Sequence, residues 1–182
     1  MPTKVILGVT GSVAATLTAK MVKALVDADM EVKVVSTERG LYFFDRKAIN
    51  VPVFSDKDEW QEGGYLKNVP VPHIDFGDWA DILLIAPLTA DTLSDMAHGK
   101  ADKFLTSIVL AWPKEKPLVF APAMNTRMWE NPITRANLEI VRTVYQIKIV
   151  GPVSGRLACG FVGLGVMARI EAIVAVVCSL KK

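Results

Sequence analysis

Soft metal ligands are scarce in this 182-residue sequence, which has two cysteines, two histidines and no Cys-x-x-Cys pair. Cys159 and Cys178 are too few for a secreted disulfide framework, and His73 and His98 make no ligand cluster with them. Neither a disulfide scaffold nor a metal site is expected. Charge of one sign is missing too: 21 Lys and Arg against 19 Asp and Glu leave a net charge of +2, and no more than two basic residues stand together. Nucleic-acid binding needs a clustered basic face, so no nucleic-acid partner is expected. Long apolar runs are absent, although 51% of the residues are hydrophobic. The best candidate, residues 170–180, is broken by Glu171 and is about half the ~20 residues a membrane span requires. The amino terminus lacks a signal-peptide core before Gly8 and Thr10. A chain of this length without staples or spans folds on its own core, burying roughly 70% of the surface that its unfolded form exposes. The expectation is one soluble, cytoplasmic domain with apolar surface to spare for a subunit interface.

What is present is an alternation of short apolar runs and helical patterns, the order of an α/β protein with a parallel sheet. Residues 4–9 form a nearly continuous apolar run, as in a central strand covered on both faces. Ser12 opens a helix in which Val13, Leu17, Met21, Ala24 and Ala28 recur every three or four positions. Residues 31–36 read as a second strand, with Thr37 turning into another helix. Residues 81–86, 117–121 and 146–150 are further strands, separated by helices over 89–98 and 134–144. Residues 51–71 are expected to be an irregular excursion with a short strand or helical turn. Residues 151–167, with glycines at 151, 155, 160, 163 and 165, are expected to be a mobile flap, and a helix over 168–180 closes the domain.

Residues suited to chemistry gather at strand ends. Thr10-Gly11-Ser12-Val13 offers backbone N–H groups and a helix start to a phosphate. It is neither a G-x-G-x-x-G fingerprint nor a P-loop, and a plain turn with Ser12 as N-cap explains it as well. Thr89-Ala90-Asp91-Thr92 follows another strand at the end where ligands collect in doubly wound sheets, although Thr89 also fits a simple cap. In Pro122-Ala123-Met124-Asn125, Asn125 presents both donors and an acceptor; the plain alternative makes it a turn residue, with Met124, Met128 and Trp129 filling the core. His73 suits proton work, yet a lone histidine is more often structural. His98 reads as a cation near a helix C-terminus. Cys159, on the glycine-rich segment, is placed to reach a ligand as a lid closes, or is a surface thiol without consequence. Cys178 reads as inert core.

Together these stretches resemble the flavin-containing cysteine decarboxylases, most closely the phosphopantothenoylcysteine decarboxylases of coenzyme A biosynthesis, over nearly the whole chain. The resemblance is carried by Pro122-Ala123-Met124-Asn125-x-x-Met128, similar to the family's substrate-recognition motif. It is carried equally by Leu157-Ala158-Cys159-Gly160 followed by Gly163, Gly165 and Met167, similar to its active-site flap. It implies a flavodoxin-like Rossmann variant, a doubly wound parallel sheet in a single domain spanning 1–182. It further implies non-covalent FMN and a homotrimer, or a multiple of trimers, with active sites at subunit boundaries. Gly11, Ser12, Val13, Ser36 and Thr37 would then serve the FMN phosphate side, Thr89, Ala90, Asp91 and Thr92 a second flavin segment, and Ala123 would touch the flavin. Two departures, Val166 where many relatives carry Arg and Asp91 for a frequent Asn, bear on fine recognition.

The implied reaction converts 4′-phosphopantothenoylcysteine to 4′-phosphopantetheine. Carbon dioxide loss from a cysteine carboxylate leaves an unstabilised carbanion, so FMN first accepts a hydride from the thiol-bearing carbon. Decarboxylation of the resulting thioaldehyde gives an enethiolate, to which the hydride is returned. The resemblance makes His73 the base or orienting group of the oxidative half and Cys159 the acid of the reductive half. Asn125 becomes the carboxylate binder, with Met128 and Ala158 also at the substrate, and Arg156 and Lys148 are candidates for its phosphate. A peptidyl-cysteine decarboxylase would stop at the enethiol and need no Cys159. A flavin prenyltransferase is disfavoured by the Pro122–Asn125 segment. Non-catalytic regulatory relatives that bind a phosphatase carry an acidic tail, unlike Ser179-Leu180-Lys181-Lys182.

Overall fold

The computed structural model describes residues 1–60 and 71–181. Its main sheet is wholly parallel: β1 (Thr3–Val9), β2 (Met30–Ser36), β3 (Val53–Phe54), β4 (Ile82–Leu88), β5 (Leu118–Pro122) and β6 (Ile147–Ile149), in the spatial order β3-β2-β1-β4-β5-β6. The chain winds outward from β1 to β3, then returns beside β1 as β4 and winds the other way. This is the doubly wound parallel sheet of the flavodoxin-like Rossmann variant expected from the sequence, and its switch point lies between the carboxyl ends of β1 and β4.

The central strands form because both of their faces are covered. Every residue of β4 is buried, as are the last five of β1. Alternate side chains enter opposite cores. Val5, Leu7, Ile82 and Leu84 pack under α1 (Thr18–Asp27) and the last helix. Ile6, Leu83 and Ile85 pack with Leu93, Ile108 and Leu138 on the other face. That second layer holds α4 (Ala90–Ala97), α5 (Phe104–Leu110) and α7 (Pro132–Val144). The remaining helices are α2 (Glu38–Leu41), α3 (Pro72–Trp79), α6 (Thr126–Trp129) and the last, α8 (Ile170–Cys178).

Several expectations are revised. The helix opened by Ser12 starts as a 3-10 turn over Val13–Leu17, and Val13 is exposed. The segment carrying His73 forms the helix α3, and Phe104–Leu110 forms α5, two helices that the sequence patterns do not announce. Strands β4 and β5 run past Ala86 and Ala121 to end at Leu88 and Pro122. The excursion supplies the short strand β3 and a 3-10 turn over Asp56–Asp58; residues 61–70 of it lie outside the described residues. The glycine-rich flap is an antiparallel hairpin, β7 (Val153–Arg156) and β8 (Val162–Val166). Among the described residues, no helix is long and apolar enough to cross a membrane.

Candidate active site

Thr10, fully buried at the end of β1, ties the two central strand ends together. Its hydroxyl donates to the Pro87 carbonyl at 2.7 Å and accepts from the Thr89 amide at 3.1 Å. Three side-chain caps then sit side by side: Ser12 accepts from the Ala14 amide, Thr37 from Gly40 and Thr89 from Thr92. These turns open onto a polar cavity of about 570 Å³, with Gly11, Ser12, Thr37, Thr89, Asp91 and Thr92 on its wall. Lys103 joins them there, bonded to Asp95 and 3.3 Å from Asp91. Burial lowers the pKa of this ammonium, but the Asp95 hydrogen bond and the charges of Asp91 and Asp95 outweigh it and hold the pKa above the ordinary lysine value. The cavity therefore keeps a cation on its wall, paired with Asp95 and, at 3.3 Å, with Asp91.

A second cavity of about 740 Å³ meets the first at Ser12, Ala123 and Met124. Val13, Leu17 and Met167 contribute apolar lining, and Asn125, Ala158 and Cys159 line it as well. Asn125 caps α6, its Oδ1 accepting from the Arg127 amide at 2.9 Å. Its Nδ2 donates to the Cys159 Sγ at 3.4 Å, so the end of β5 and the hairpin tip meet. The hairpin is seated by the Met124 amide, which donates to the Gly165 carbonyl at 3.0 Å. A Cβ at position 165 would lie 2.1 Å from the Met124 carbonyl oxygen, so this approach requires glycine.

Of the residues singled out in the sequence, Gly11, Ser12, Val13, Thr37, Thr89, Asp91, Thr92, Ala123, Asn125, Met128, Ala158 and Cys159 line one cavity or the other. Met128 is exposed there and is not core filler, whereas Met124 and Trp129 are buried. Ser36 is fully buried, with its hydroxyl donating to the Thr37 carbonyl at 3.0 Å, and Ala90 packs on the second core; neither lines a cavity. Arg156 lines the larger cavity, and Lys148 lines neither. His98 bonds the Ser94 carbonyl through Nδ1 at 2.8 Å, at the end of α4. Cys178 packs partly buried on the first core. His73 also lies off both cavities of the single chain: its Nδ1 is 3.0 Å from Glu59 Oε1. Lys103 and Glu59 were not singled out in the sequence; Thr10 and Met124 stood in the motifs read there, but their bonds to Pro87, Thr89 and Gly165 join segments distant in sequence.

The profile of the family described as Flavoprotein matches residues 1–182. The chain belongs to the flavoprotein family. It is 45% identical to the phosphopantothenoylcysteine decarboxylase of Mus musculus, over 94% of this chain and 84% of that protein. Among solved structures, it is similar to a cysteine-to-serine mutant of PPC decarboxylase complexed with pantothenoylaminoethenethiol, with TM-score 0.92, 38% identity and 97% of each chain covered. An FMN binding protein superposes with TM-score 0.88 at 39% identity, over 97% of this chain and 95% of the other. The resemblance to flavin-containing cysteine decarboxylases read from the sequence is thus borne out. The residues present fit FMN: adjoining polar and apolar cavities, with cap hydroxyls and Lys103 on the polar wall, suit a phosphorylated molecule with a large ring.

Proposed function

We propose that the chain catalyses the FMN-dependent decarboxylation of 4′-phosphopantothenoylcysteine to 4′-phosphopantetheine, a step of coenzyme A biosynthesis in the cytoplasm. The observation that carries the reading is the Asn125–Cys159 contact of 3.4 Å in the larger cavity, which sets a carboxylate-binding amide beside a thiol acid. Bound FMN supplies a hydride acceptor and donor, so the chain itself needs to bind, orient and move protons. Gly11, Ser12, Val13, Thr37, Thr89, Asp91, Thr92 and Ala123 would hold the cofactor, beside the Lys103 charge. With one Asn125 Nδ2 hydrogen on Cys159, the other is free for the substrate carboxylate. Ala158 in the larger cavity and Met128 in the adjoining one flank the substrate, and the Arg156 guanidinium, which also lines the larger cavity, complements its phosphate. Cys159 delivers a proton to the enethiol as the hydride returns, and His73 accepts the proton lost from the substrate thiol.

Asn125→Asp is expected to weaken substrate binding at least tenfold, about 1.4 kcal/mol, because a second anion would face the substrate carboxylate. KM for phosphopantothenoylcysteine measures this; an unchanged KM would remove Asn125 as the carboxylate contact.

The position of His73 off both cavities supports a site completed by another copy, in a homotrimer or a multiple of trimers. Exposed apolar side chains, among them Ile133, Phe161 and Val162, support such an interface. Light scattering is expected to give three times the 19.9 kDa of the chain, or a multiple of that. A monomer at micromolar concentration would contradict the assembly. A peptidyl-cysteine decarboxylase is the second reading, and the placement of Cys159 against Asn125 favours the first.

A further inference from the structure

Glu59 is a carboxylate whose side chain is 5% exposed, and its hydrogen-bond partner among the described residues is His73 Nδ1 at 3.0 Å. Burying a carboxylate is unfavourable unless it is paired, and this contact offsets part of that cost. Both partners are fixed independently. Glu59 directly follows the 3-10 turn over Asp56–Asp58, where Asp58 accepts from the Ser55 amide at 2.7 Å and the Ser55 hydroxyl at 3.0 Å. Asp56 anchors the same turn by accepting from the Phe104 amide at 2.9 Å, at the start of α5. His73 stands in the first turn of α3, behind Pro72 at a position where proline suits a helix start. The far end of α3 is held by Lys116 Nζ, which donates to the carbonyls of Gly77, Asp78 and Ala80 at 2.8, 3.1 and 2.7 Å.

A carboxylate can only accept, so the neutral ring of His73 must carry its proton on Nδ1 and present the Nε2 lone pair outward. The same partner offers a counter-charge to the imidazolium formed when Nε2 takes a proton, the logic of a carboxylate–histidine pair in general base catalysis. We propose that Glu59 is the positioning residue of His73, fixing the Nδ1–H tautomer and presenting Nε2 to the substrate thiol in the site of an adjoining copy. This rests on the reading of His73 as the base.

Glu59→Gln keeps the side-chain volume and removes the charge. In the FMN-loaded protein, kcat is expected to fall about 10- to 100-fold with KM little changed, since the residue touches no substrate. The ¹⁵N shifts of His73 should lose their Nδ1–H preference, and Glu59→Asp should recover part of both. His73→Asn, measured alongside, separates the two claims. If His73→Asn is inactive while Glu59→Gln keeps wild-type kcat and the Nδ1–H tautomer, the positioning role is overturned and the role of His73 stands. If His73→Asn remains active, the reading of His73 as base fails and the positioning role fails with it, even where the ¹⁵N shifts confirm the contact.

Discussion

His73→Asn is expected to abolish decarboxylation while leaving FMN bound, with turnover falling about 10²- to 10⁴-fold, the range for loss of a positioned base. The imidazole lies off both cavities that suit the cofactor, so its removal has no reason to release FMN. Carbon dioxide release and the visible spectrum of the purified variant check the two halves of this expectation. Turnover within about tenfold of wild type, a barrier change of only ~1.4 kcal/mol, would leave His73 as nothing more than the partner that Glu59 needs.

Cys159→Ser is expected to stop the cycle after carbon dioxide has left. The thiol stands at the tip of the hairpin against Asn125 Nδ2, and a serine hydroxyl in its place is a far weaker acid. Substrate should still be oxidised and decarboxylated, and the product should be two mass units lighter than phosphopantetheine, as detected by mass spectrometry. The absorbance of oxidised flavin should return only when oxygen is admitted. Cys178→Ser, a change in a half-buried helix position away from both cavities, should give the wild-type product. Phosphopantetheine formed by Cys159→Ser at the wild-type rate would remove the hairpin thiol from the mechanism.

The sheet was legible in the sequence because β1 and β4 are buried on both faces and their short apolar runs alternate with helical patterns, the order of a parallel sheet. The helices were legible unevenly. In α5, Phe104 to Val109 are all buried, so the segment has no polar face to mark a helical period. In α3 a single buried residue, Gly77, leaves almost no apolar stripe to read. The glycines of residues 151–167 marked the flap from composition, but not its pairing as a hairpin or the close approach of Gly165 to Met124. Local motifs carried most of the site: Ser12, Thr89, Ala123, Asn125 and Cys159 all reach the cavities. What escaped was the pairing between separate elements. Thr10 acts on Pro87 and Thr89, and Lys103 on Asp91 and Asp95. Glu59 meets His73 across a segment of mixed composition, and none of these pairings follows from spacing. Ser36 is the converse case, a hydroxyl in a motif-like place whose bond to the Thr37 carbonyl keeps it in the core.

The most direct measurement is a single incubation of the FMN-loaded protein with phosphopantothenoylcysteine, with carbon dioxide and products followed by mass spectrometry. Stoichiometric carbon dioxide and phosphopantetheine, with no net consumption of an oxidant, is the result expected if Asn125, Cys159 and His73 complete both halves of the cycle. Release of the enethiol alone, together with a preference for peptides ending in cysteine, would contradict it.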